Sequence, residues 1–108
     1  MNSSIQVIPY SELLEINKDN NSYFKFEQLI KCGIKIVLID LKNVTMLSSS
    51  GLITLIMAFK AVTNAGGKLF ICSLNEQSKM LFELTRLDQV FETFTDLEEF
   101  NQTLLLTN

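Results

Sequence analysis

The chain has 108 residues, 47% hydrophobic and 19% charged, which suits one globular domain spanning 1–108 and excludes a disordered chain. A net charge of −3, with Lys and Arg scattered, offers no basic patch to neutralise phosphates, so no nucleic-acid partner is expected. The polar start Met1-Asn2-Ser3-Ser4 is not a secretory signal, and no apolar run reaches the roughly 20 residues that span a bilayer; the expectation is a cytoplasmic protein without membrane insertion.

Residues 5–8 and 13–16 are short apolar runs separated by Pro9-Tyr10-Ser11, and they predict two strands or one bent strand pair at the start of a sheet. Asp19-Asn20-Asn21-Ser22 is a polar break whose last residues can cap a helix. Phe24, Phe26, Leu29, Ile30 and Cys32 supply that helix with an apolar face, and Gly33 ends it. Residues 35–41 form a near-continuous apolar run, as expected of a parallel strand buried on both faces. A turn follows, after which Met46 and Leu47 are expected to tuck inward.

Ser48-Ser49-Ser50 then opens a long helix ending near Asn64, stopped by Gly66-Gly67. Leu52, Leu55, Ile56, Phe59 and Val62 recur on it at helical spacing and should face the core. Residues 68–72 predict another buried strand. Ser73 and Asn75 are candidate caps for a third helix, with Met80, Leu81 and Leu84 inward and Lys79 paired with Glu83. Residues 90–94 predict a short last strand, and Thr95-Asp96 caps a final helix carrying Leu97, Phe100 and Leu104. Alternating strands and helices imply an α/β domain with a helix-covered sheet. With no His and no CxxC, Cys32 and Cys72 lack zinc partners and read as small core residues, a redox or disulfide role being the alternative.

The segment Leu47-Ser48-Ser49-Ser50-Gly51-Leu52 places three hydroxyls where the first N–H groups of a helix lack internal partners. One of them acting as an N-cap is the plain reading. The sharper reading is phosphorylation, because a helix N-terminus accommodates an anion. Ile53 and Met57 would point away from the sheet beside these serines, either as a partner surface or as ordinary exposed apolar residues. Enzyme chemistry is not expected. There is no His, no GxSxG elbow, no phosphate-cradling Gly loop and no metal-ligand motif, so no catalytic residue, cofactor site or metal site is assigned.

Residues 37–41, then Val44-Thr45-Met46-Leu47 and Ser49-Ser50-Gly51-Leu52, resemble the signature of STAS domains, the sulfate-transporter and anti-sigma-factor-antagonist modules. Ala65-Gly66-Gly67-Lys68-Leu69 and residues 81–91 match the second half of the pattern, and the likeness is strongest over 34–100. The chain is similar to the free-standing bacterial antagonists. That resemblance implies a mixed, mostly parallel sheet of four to five strands with about four helices on one side. It also implies a cycle: the antagonist binds a GHKL-type serine kinase that doubles as an anti-sigma factor, is phosphorylated on the serine at the start of the second, long helix, and is restored by a PP2C-type phosphatase.

Carried onto this sequence, the phosphoacceptor falls on Ser49 and the following hydroxyl on Ser50, while Ser48 stands where the family carries Asp. Ser48, Ser50, Gly51, Ile53 and Met57 are the expected partner contacts around it. In the N-terminal hairpin, where the family commonly has Gly then Asp, this chain has Glu12 and Glu15. Signal transduction acting on transcription is therefore expected. The alternative is a non-switching STAS scaffold or transporter-associated binding module, favoured by the missing Asp.

Overall fold

A computed structural model describes residues 4–18 and 22–107. The elements run β1 (Ile5–Pro9), α1 (Tyr10–Asn17), α2 (Ser22–Lys31), β2 (Ile36–Asp40), α3 (Ser49–Asn64), β3 (Lys68–Cys72), α4 (Glu76–Leu84), a 3-10 turn (Leu87–Gln89), β4 (Glu92–Phe94) and α5 (Leu97–Thr107). The four strands form one sheet in the order β1-β2-β3-β4. Every pairing is parallel, with Ile39 level with Ile8 on one side and Ile71 on the other. All four strands therefore point their carboxyl ends to one edge.

The first expectation to fail is the strand over 13–16, which lies in α1. Pro9 is the N-cap of α1, with φ −63° and ψ 150°. Pro lacks the N–H that a ladder needs yet tolerates a helix start, so the chain turns there. Tyr10, Leu13 and Ile16 then fall on one helical face, with Leu13 fully buried. Glu12 and Glu15 accordingly sit on a helix and not in a hairpin turn. The polar break at 19–21 lies outside the described residues.

In β2, Val37, Leu38 and Ile39 are all fully buried, as a strand covered on both faces requires. Ile8, Val37, Ile39, Leu69 and Ile71 pack on one face against Leu13, Phe26, Leu55, Val62 and Phe82 from the first four helices. The other face carries Leu38 and Cys72 against Phe100, with Phe70, Phe94 and Leu104 around them. The rings of Phe70, Phe94 and Phe100 stand 5.2–5.8 Å apart and seat α5 there. The helices thus cover both faces and not one side, because α5 returns across the sheet after β4.

Several facing directions differ from expectation. Phe24 is exposed, because Phe26, Leu29 and Ile30 set the inward stripe of α2 and Phe24 falls on its far side. On α4, Ser78 and Phe82 point inward, which turns Met80 and Leu84 to the surface and leaves Leu81 half-buried. Ile56 and Phe59 only partly face the core. Lys79 pairs with Glu76 at 3.9 Å one turn earlier, not with Glu83. Cys72 is buried as expected, but Cys32, just beyond the end of α2, is exposed. Gly33 and Gly66 hold φ of 107° and 95°, the left-handed conformation that stops the preceding helices.

Candidate functional site

At the carboxyl edge of the sheet, β2 hands the chain to a loop that leads into α3. The Lys42 N–H donates to Asp40 Oδ1 at 2.9 Å and the Val44 N–H to the Leu41 carbonyl at 3.0 Å, so the chain turns at once. Leu47 is buried at 2% exposure and anchors the loop's far end, whereas Met46 beside it is 71% exposed. The expectation that both tuck inward therefore holds for Leu47 and fails for Met46.

The three serines have separate duties. Ser48 is the N-cap, extended at φ −94° and ψ 171°, and its Oγ accepts the Gly51 N–H at 3.1 Å. Ser50 Oγ lies 3.0 Å from Ser48 Oγ, and the Ser50 carbonyl accepts the Thr54 hydroxyl at 3.0 Å. Ser49 is exposed, and its hydroxyl makes no hydrogen bond among the described residues. Its N–H and that of Ser50 belong to the first turn, whose donors have no intrahelical acceptor. A free hydroxyl beside uncommitted donors at the positive end of a helix can take a phosphoryl group at little cost to the helix.

Gly51 is buried beneath this turn. A Cβ placed on it would overlap the Tyr10 hydroxyl and stand 3.0 Å from Leu47 Cδ1. The absent side chain lets the start of α1 close on the start of α3. Burial there raises the Tyr10 pKa above its ordinary 10.0. A cleft of about 310 Å³, lined by Tyr10, Ser11, Leu14, Asp40, Lys42 and Asn43 among others, opens on the same edge.

Ile53, one turn along α3 from Ser49, is 57% exposed, and Met57 is half-buried. Exposed Met46 and Leu14 were not anticipated as apolar surface at this edge. Nor were Asn75 and Gln77, at the start of α4, anticipated as loop contacts. Asn75 Nδ2 donates to the Val44 and Thr45 carbonyls at 3.2 and 2.9 Å while its Oδ1 caps α4 through the Ser78 N–H at 2.8 Å. The Gln77 amide takes the Leu47 N–H at 2.9 Å and donates to the Leu47 carbonyl at 3.2 Å. Ser73, the other candidate cap, adopts φ 69° and donates instead to Cys72 Sγ at 3.6 Å. Among the described residues no group of three His, Cys, Asp or Glu gathers to hold a metal ion, and no helix is long and apolar enough to cross a membrane.

The profile of the STAS domain matches residues 6–100, nearly the whole of this architecture. The chain belongs to the STAS domain family. A Thermotoga neapolitana protein named as a candidate anti-sigma factor antagonist is 26% identical over 88 residues, covering 79% of this chain and 78% of that protein. A Thermotoga maritima protein of the same description is 25% identical over 88 residues, with the same coverage. Among solved structures, this STAS domain resembles the NMR structure of the protein TM1081, with a TM-score of 0.71 at 21% identity over 92% of this chain and 80% of that one. It also resembles the crystal structure of TM1081 from Thermotoga maritima, with a TM-score of 0.65 at 16% identity over 94% and 87% of the two chains. At those identities the structural likeness speaks for the fold.

Proposed function

We propose that this STAS domain, as a single domain spanning the chain, is an anti-sigma-factor antagonist that works by binding and not by catalysis. Its partner would be an anti-sigma factor that is also a GHKL-type serine kinase. Phosphorylation of Ser49 would end the complex, and a PP2C-type phosphatase would restore it. Ser48, Ser50, Gly51, Ile53 and Met57 would form the contact surface. ATP would be the kinase's substrate, so the chain itself needs no cofactor.

The observation that supports this reading most is Ser49 itself, exposed and with a hydroxyl that makes no hydrogen bond among the described residues while its two neighbours are engaged. Exposed Ile53 lies one turn away, so a phosphate there would bring charge into an apolar contact. The family relationship and the description carried by the Thermotoga relatives support the same direction.

The test is site-resolved phosphopeptide mapping of the protein from its native cells, in growth and under stress. Phosphate on Ser49 that changes with condition is expected. Ser49→Ala should keep the fold and the complex while losing the switch, and Ser49→Asp should weaken the complex. A peptide fully covered but never modified would replace this reading with the second one. In that second reading the domain is a non-switching scaffold or transporter-associated module, favoured by Ser48 standing where the family carries Asp.

A further inference from the structure

The loop before Ser49 is held from outside itself. The Leu47 N–H and carbonyl both bond to the side chain of Gln77, and the Val44 and Thr45 carbonyls both accept from Asn75. These contacts join residues 30 or 31 positions apart, so they fix tertiary geometry and not local turn shape. The amide of Gln77 addresses the Leu47 peptide as a neighbouring strand would, with one donor and one acceptor.

The buried polar side chains point to the same segment. Among the described residues these are Thr54 and Ser78. Thr54 bonds the Ser50 carbonyl, and Ser78 contacts Gln77 Oε1 at 3.5 Å while its N–H is held by Asn75. Of these two, Thr54 holds the helix turn that follows Ser49, and Ser78 lies beside the Gln77 that grips Leu47. Buried polar groups of this sort fix one arrangement in preference to others.

We propose that Asn75 and Gln77 are positioning residues for the acceptor segment: they lock residues 44–47 to α4, so that Ser49 is presented in one conformation. This rests on the reading of Ser49 as the acceptor. The amides act through the loop, since Leu47 and not Ser49 is what Gln77 grips.

The test compares Gln77→Leu and Asn75→Asp with the unaltered chain. Asn75→Asp keeps the cap on α4, because Asp caps as well as Asn, but removes the donor to both carbonyls. Amide hydrogen exchange, followed by NMR, should accelerate at Leu47 on the order of tenfold or more in Gln77→Leu, with Val37 and Ile39 unchanged. The phosphorylated fraction of Ser49 in native cells should fall severalfold in both variants.

Leu47 remaining protected in Gln77→Leu would overturn the lock. Acceleration shared equally by Val37 and Ile39 would overturn it too, since it would report lost global stability. Faster exchange at Leu47 with unaltered phosphorylation would overturn the positioning role. Should the unaltered chain never carry phosphate, the acceptor reading fails and the positioning role with it, while the exchange arm still decides whether the amides lock the loop.

Discussion

Replacing Gly51 by Ala sets two effects of known sign against each other. Gly51 is the third residue of α3, in ordinary helical geometry, and Gly there costs up to about 1 kcal/mol relative to Ala. Propensity alone predicts that Gly51→Ala stabilises. The new methyl, however, would overlap the Tyr10 hydroxyl and press on Leu47 Cδ1 at 3.0 Å. Tyr10 is a half-buried ring packed against the core, so its oxygen cannot simply swing aside. Overpacking of this kind costs about 1–3 kcal/mol, so a net loss of about 1 kcal/mol is expected. In a chain of this size that lowers Tm by roughly 4–8 °C.

The decisive assay is a double-mutant cycle by thermal and urea denaturation, with Tyr10→Phe as the second change. Tyr10→Phe alone should be nearly neutral, since no hydrogen bond of its hydroxyl is among those of the described residues. In the Tyr10→Phe background the overlapping oxygen is gone and only the 3.0 Å approach to Leu47 Cδ1 remains, so Gly51→Ala should lose most of its cost and come close to neutral. A Gly51→Ala variant that stabilises the unaltered chain, or costs the same in both backgrounds, would refute the packing argument. The glycine would then need another reason.

Three further outcomes are expected. Ser48→Ala should cost about 1 kcal/mol in urea denaturation by removing the acceptor for the Gly51 N–H, whereas Ser48→Asp should retain stability because Asp also caps. Tyr10 has its pKa raised by burial, so the neutral phenol is the form the folded state favours. The associated stability is fully present below pH 10 and is lost as pH rises through the folded value; urea denaturation from pH 8 to 11 should show this, and Tyr10→Phe should flatten it. Phe100 is fully buried under the sheet, so Phe100→Ala should cost about 3–5 kcal/mol and expose amides of β3, read by hydrogen exchange.

What the sequence discloses here follows from how local each signal is. The burial of β2 on both faces is written in consecutive residues, 37–39, and the span of α3 in a serine cap at one end and paired glycines at the other. The strand expected over 13–16 fails because an apolar run that short fits either period, and Pro9 decides the matter only once its place in the sheet is known. Helix directions fail where an apolar residue is not a core residue. Phe24, Met80 and Leu84 pattern as inward positions, yet Phe26 and Phe82 fill the space. The serine cluster is legible, but its division into cap and free hydroxyl depends on backbone angles. The grip of Asn75 and Gln77 leaves no sequence pattern, because amide side chains reach across 30 positions without any periodicity.

The two cysteines have become different chemical objects in the folded chain. Cys72 is fully buried, and burial, foremost, raises its thiol pKa, which disfavours the reactive thiolate. Cys32 is exposed, at the end of α2 where the chain is about to enter β2. It therefore sits at the amino edge of the sheet, a strand's length of roughly 17 Å from the edge that carries Ser49. A maleimide fluorophore would attach at Cys32 in the native chain without mutagenesis, reporting on association at the far edge while leaving that edge unencumbered.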